Sequence, residues 1–219
     1  MIVVASVFVD AFTFIPSHIS LLLEKTWDTA KLAFTALGIA VVIAVPIGLW
    51  LGHLHRGLGL ALGVSTLGRA LPVIVVIGLL IAVLGVGFWN ITVALVIIGI
   101  PPLLTNSYLA VDTVDRDVVE AARGMGLTER QILTKVELPL GLPLLIAGVR
   151  LAAVFVIATA TIAGLAGGGG LGDIFVNQVT YHLDGTLAAA LFVAALAVLT
   201  STLLSVIQRA AYRRMAPRA

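Results

Sequence analysis

The chain has 219 residues, 60% of them hydrophobic and 11% charged, and its mean hydropathy is +1.16. Soluble domains are near half apolar and about a quarter charged, so this is the composition of an integral membrane protein and excludes a soluble enzyme or binding module. There is no cysteine, which removes disulfides, thiol chemistry and cysteine zinc sites; the net charge of +2 and the few, scattered aromatic residues offer no surface for nucleic acid.

Residues 1–25 are apolar apart from Asp10, His18, Glu24 and Lys25, and no lysine or arginine precedes Lys25, so the basic leader of a signal peptide is not expected. Asp10 and Pro16 cut this stretch into pieces shorter than the roughly 20 residues that cross a bilayer, and an interfacial helix is expected, an extra span being the alternative. The first span is expected at 31–52, with a kink at Pro46. His53, His55 and Arg56 follow it; the histidine pair has no further metal ligand nearby and reads as a polar turn at the membrane face. A second span at 58–84 holds Arg69 and Pro72, and an arginine at that depth either lines an aqueous pathway or snorkels to the surface. After the break from Gly85 to Asn90, a third span at 91–111 contains Pro101, Pro102 and Asn106. Two prolines inside a span leave carbonyls unpaired, so irregular backbone lining a translocation path is expected there, a simple packing kink being the alternative.

The long polar interval, 117–139, interrupts the apolar sequence and reads as two short helices joined by an elbow. Asp117 with Glu120 and Thr128 with Gln131 form two capping-box patterns, Gly124 and Gly126 permit a tight reversal, and Leu138-Pro139 is expected to stop the second helix. Val118, Ala121, Ala122 and Met125 make one apolar stripe, Ile132 and Val136 another, opposite Arg123, Glu129, Arg130 and Lys135. Such an elbow either fills a groove on another protein or lies on the membrane surface.

A fourth span is expected at 142–164, with Pro143 in its first turn, Arg150 early in it and a small-residue stretch, Ala158 to Gly164, suited to close packing against a second chain. The glycine run 167–170 lacks the GK[ST] of a phosphate loop. A short polar helix at 173–184, a fifth span at 185–208 and a tail at 213–219 complete the chain. With five spans, nine lysines and arginines fall on the side of the elbow and two, Lys25 and Lys31, on the other. The positive-inside rule then puts the N-terminus outside and the elbow and C-terminus in the cytoplasm.

Glu120-Ala121-Ala122, three residues, Gly126, nine residues, then Val136-Glu137-Leu138-Pro139 resembles the EAA loop of ABC importer permeases, Val136 standing where that pattern has isoleucine. The segment from Thr66 to Ile81 resembles the opening of that family's second core helix, and 167–172 its external glycine loop. VEAARGMGLT, VELPLGLPLLIAGVR and VIATATIAGLAGGGGLG are similar to the branch that imports glycine betaine, carnitine, choline and proline; methionine permeases share the layout. The resemblance implies an all-α integral membrane protein, the five-span core of a type I ABC importer, methionine-permease-like, over 26–212 with an N-terminal interfacial helix. It further implies a prokaryotic plasma-membrane permease subunit that is not itself an enzyme. Its partners would be two ATP-binding subunits carrying ATP-Mg, a second homologous or identical permease chain and an external substrate-binding protein. No cofactor is expected on this chain. Glu120, Ala121, Ala122, Gly126, Leu138 and Pro139 would couple to the ATPase, and Arg69, Pro101, Pro102 and Asn106 are the candidate pathway residues. A passive channel would have no use for the elbow, and a membrane enzyme would need clustered intramembrane His, Asp or Glu, which the spans lack.

Overall fold

The structure, a computed structural model, describes residues 11–55, 57, 59, 63, 65–66, 68, 70 and 72–215. Helices are α1 (Ile19–His53), α2 (Val73–Leu84), α3 (Phe88–Asp112), α4 (Arg116–Gly124), α5 (Glu129–Ile132), α6 (Leu138–Ala160), α7 (Gly172–Val176) and α8 (Gln178–Met215). A π-helical turn, Leu133–Glu137, joins α5 to α6, and a 3₁₀ turn, Thr161–Ala166, follows α6. Among the described residues there is no strand, and four helical stretches are long and apolar enough to cross a membrane: α1, α3, Glu129–Ala160 and Gln178–Arg213.

The first difference from expectation is α1. It runs unbroken for 35 residues, about 52 Å at 1.5 Å per residue, through the boundary expected between a surface segment and a span starting at 31. No glycine or proline occurs between Ile19 and Leu37 to interrupt it, and residues 11–17, Pro16 included, are helical as well, with a turn at His18. Of the expected second span, α2 accounts for only 12 residues, opened by Pro72 in extended backbone and closed at Gly85; most of 58–71, with Arg56 and Arg69, lies outside the described residues.

In α3 the expected irregular break is absent. Pro101 and Pro102 sit buried inside a continuous helix. Proline removes the donors that would serve the carbonyls of Ile97 and Ile98, but a helix packed along much of its length tolerates two lost bonds. Pro143 likewise lies inside α6 rather than in its first turn, because that helix starts at Leu138. In α8 the backbone departs from helical geometry at His182 (φ 50°), which divides the short polar piece from the long apolar one close to the expected boundary.

The chain divides into two compact units. One draws on the described parts of Met1–Leu37, Leu71–Ile98 and Ala153–Leu199. Within it the glycine loop is held to α1. Lys25 Nζ lies 2.6 Å from Asp173 Oδ2, and the Leu171 amide donates to Thr29 Oγ1 at 2.9 Å. Gly170 sits so close that a Cβ there would lie 2.5 Å from Thr29 Oγ1. Leu171 and Ile174 are fully buried beneath this clasp.

The other unit draws on the described parts of Gly38–Ala70, Gly99–Ala152 and Thr200–Ala219 and contains the elbow. Its helices approach through small residues, as membrane helices do when no hydrophobic force distinguishes neighbour from lipid. A Cβ on Gly48 would lie 2.6 Å from Ser107 Cβ, one on Gly141 would collide with the backbone of Ala110, and one on Gly148 with Asn106. These contacts fasten α1 and α6 to α3 next to the elbow.

Candidate functional site: the polar elbow

The first elbow helix, α4, begins two residues earlier than its sequence pattern suggests. Asp115 is the cap, its Oδ1 accepting from the Asp117 amide at 2.9 Å, so Asp117 lies in the first turn and Glu120 is an exposed mid-helix residue that caps nothing. Asp115 wins because the cap position needs extended backbone, which the turn after α3 supplies there. At its far end α4 closes in a Schellman arrangement: the Gly126 amide donates to Arg123 O at 3.0 Å and the Leu127 amide to Ala122 O at 3.3 Å. Gly126 alone carries the positive φ, +84°; Gly124 remains helical, contrary to expectation. Thr128 then caps α5 as expected, in a full capping box with Gln131.

Val119, Ala122 and Ile132 form the buried core of the elbow, with Val114, Leu127 and Val136 packed around them. Burying such side chains stabilises by about 1.5–3 kcal/mol each for the larger ones, enough to fix the angle between two short helices. The apolar stripe read from the sequence, Val118, Ala121, Ala122 and Met125, is therefore split. Val118 and Met125 are 43% and 74% exposed, and Ala121 is exposed with them, so an apolar row faces outward beside Glu120. Ala122 is spent inside the elbow.

Leu138-Pro139 does not end the second helix. The chain widens into the π turn Leu133–Glu137 and continues directly as α6. A proline ring clashes with the carbonyl four residues back, here that of Lys135, and the widened turn moves that carbonyl aside. The elbow is thus rigidly continuous with a membrane-length helix.

The π turn also directs Glu137 inward, where it is 1% exposed. Its Oε2 lies 2.6 Å from His53 Nδ1, and His53 Nε2 faces Glu129 Oε2 at 3.4 Å. Glu129 in turn is bound by both Nε and a terminal nitrogen of Arg123, at 3.0 and 3.1 Å. The hydrogen bond to Glu129, with its charge, holds the Arg123 guanidinium pKa above its ordinary value. Beside it, His55 Nδ1 meets Asp112 Oδ1 at 2.9 Å, and that oxygen also accepts from Tyr108 at 3.2 Å. His53 and His55, read as a polar turn, also tie down the end of α1: His53 to the elbow, and His55, in the turn just after the helix, to Asp112 at the end of α3. A cleft of about 900 Å³ opens alongside, between Trp50, His55, Arg130 and Thr134.

Of the expected pathway residues, Arg69 lies outside the described residues, and Pro101, Pro102 and Asn106 lie on α3 rather than on the elbow. Pro101 and Pro102 are buried, and Asn106 turns its Nδ2 back onto Pro102 O at 2.7 Å. Arg150 makes no ion pair with an acidic residue among the described residues. No group of His, Cys, Asp or Glu among the described residues could hold a metal ion.

Residues 44–217, which include the whole elbow, match the family of binding-protein-dependent transport system inner membrane components. The chain belongs to that family. This permease is 32% identical over 198 residues to the glycine betaine/carnitine/choline transport system permease protein OpuCB of Bacillus subtilis, covering 90% of this chain and 91% of the relative. It is 35% identical to the carnitine transport permease protein OpuCB of Listeria monocytogenes, covering 81% and 82%. The osmoprotectant import permease protein OsmW of Salmonella typhimurium is 31% identical, with 91% and 95% covered.

Among solved structures, the permease shares its fold with a chain of the MetNI methionine ABC transporter in an inward-facing conformation. The TM-score is 0.78 at 23% identity, over 89% of this chain and 98% of that one. A chain of an amino acid ABC transporter crystallised with histidines gives a TM-score of 0.70 at 21% identity, over 92% and 97%. The all-α, multi-pass permease fold of ABC importers is therefore established. As a permease subunit the chain is not an enzyme, and its family works with ATPase and substrate-binding partners.

Sequence reasoning missed Glu137 and His53. Glu137 occupies the free position of the motif, before Leu-Pro, and the only signal was a lone carboxylate between Val136 and Leu138.

Proposed function

We propose that this chain is the permease subunit of an ATP-driven importer of osmoprotectants such as glycine betaine, choline, carnitine or proline, forming the membrane pathway. The observation that carries the reading is the family match together with similarity over most of the chain to permeases named for glycine betaine, carnitine and choline. Two ATP-binding subunits, each holding ATP-Mg, a second permease chain and an external binding protein complete the transporter, and this chain binds no cofactor. The N-terminus is external, and the elbow and C-terminus are cytoplasmic, in line with the nine-to-two division of basic residues.

The elbow is the coupling site. Its outward row of Val118, Ala121 and Met125, with Glu120 beside it, is an exposed apolar edge on a rigid two-helix support, suited to a groove on the ATPase. Gly126 sets the turn, and Leu138 and Pro139 carry the displacement into α6 through the π turn. Pro101, Pro102 and Asn106, with Arg69, remain the candidate pathway residues.

Uptake of labelled glycine betaine by the complete transporter in proteoliposomes tests this directly. ATP-dependent uptake competed by choline or carnitine is the expected result. Uptake of methionine uncompeted by betaine would move the chain to the amino-acid importers, and uptake without ATP would make it a passive channel.

A further inference from the structure

We propose that Glu137 and His53 are positioning residues that lock the elbow to the end of α1, so that displacement of the elbow is delivered to that helix as well as to α6. The inference rests on the reading of the elbow as the ATPase-coupling site and adds a second output to it.

A carboxylate that is 1% exposed carries a large desolvation penalty unless it is paired, and among the described residues Glu137 has one polar partner, His53. The His53 side chain is itself 6% exposed. Its second ring nitrogen faces Glu129, which Arg123 holds at 3.0 Å. The result is a chain of four polar side chains, Arg123 on α4, Glu129 on α5, His53 on the last turn of α1 and Glu137 in the π turn. Apolar contacts slide at little cost, whereas a short buried hydrogen bond of 2.6 Å holds one direction and one separation. A link of this kind passes on movement that packing alone would absorb. Its inner half is dry, and its outer half reaches the exposed face of the elbow.

The test uses the complete transporter, with ATPase and binding protein, in proteoliposomes, and measures ATP hydrolysis and substrate uptake together. Glu137→Leu and His53→Leu are expected to keep the ATPase bound and hydrolysing while solute moved per ATP falls about tenfold, within the 5–150-fold usual for coupling between sites. The exchanged pair, His53→Glu with Glu137→His, is expected to recover most of the wild-type ratio. Wild-type ratios in both single variants would overturn the proposal. So would a parallel fall of hydrolysis, uptake and ATPase retention that the exchanged pair does not reverse, which is the signature of a purely structural pair. Uptake by the unsubstituted transporter in the same vesicles reports on the functional reading separately, so the two failures are distinguishable.

Discussion

Gly126 is the residue at which the elbow is most exposed to a single change. Its φ of +84° is the left-handed region, yet a Cβ added there would meet nothing within 4 Å, so any penalty comes from the backbone alone. Gly126→Val is expected to strain the turn by about 1–3 kcal/mol and to misalign α4 and α5. Membrane levels should stay normal while ATP-driven uptake and co-purification with the ATPase fall. Gly126→Asn should lose much less, since asparagine enters that region more readily. Wild-type transport by Gly126→Val with the ATPase fully bound would remove the elbow from the coupling role. Glu120 behaves differently from its sequence pattern. Because Asp115 holds the cap, Glu120→Ala should leave thermal stability unchanged and act only on ATPase docking. Asp115→Ala should lower elbow stability by about 0.5–2 kcal/mol, readable as faster proteolysis of the elbow in the purified permease.

At the scale of elements, glycines set how closely α6 meets α3. Gly141 lies against the backbone of Ala110 and Gly148 against Asn106, and neither site has room for a side chain. Gly141→Leu should overpack the contact by about 1–3 kcal/mol or more and lower the melting temperature of the detergent-purified permease. Gly38, in the interior of α1 and exposed, offers the control: nothing lies within 4 Å of an added Cβ. Gly38→Ala should raise the melting temperature slightly, since glycine costs a helix roughly 0.5–1 kcal/mol relative to alanine. The π turn belongs to this scale too. It lets Pro139 sit within a continuous helix, so the elbow and α6 move as one body and Glu137 points inward.

For the whole molecule, orientation is the property to measure first. The chain has no cysteine, so single cysteines at the exposed positions Thr128 and Asn177 give a clean background. An impermeant thiol reagent should label Thr128→Cys from the cytoplasmic side only and Asn177→Cys from the external side only. Labelling of both from one side would refute the five-span layout. Solute recognition is expected to rest with the external binding protein. Quaternary ammonium groups are held by aromatic cages through cation–π attraction, and the 14 aromatic residues here are dispersed along the chain. Tight betaine binding by the isolated permease, measured by calorimetry, would contradict that division.

What could be read without coordinates was of two kinds. Membrane residence is a sum over composition, and no arrangement of the chain alters it. The capping box of Thr128 and Gln131 and the turn at Gly126 depend on residues within a few positions of one another, so their pattern is written locally. The motif around Glu120 and Pro139 made the family recognisable by the same local means. Tertiary structure decided the rest. Whether Val118 or Val119 faces inward depends on where Ile132 packs, and whether a helix survives Pro101, Pro102 or Pro139 depends on what surrounds it. The pairing of Glu137 with His53 joins residues 84 positions apart, and a separation of that size leaves no trace in periodicity or spacing. Local rules govern bonds that close within one or two helical turns; a buried charge finds its partner only when distant helices have come together.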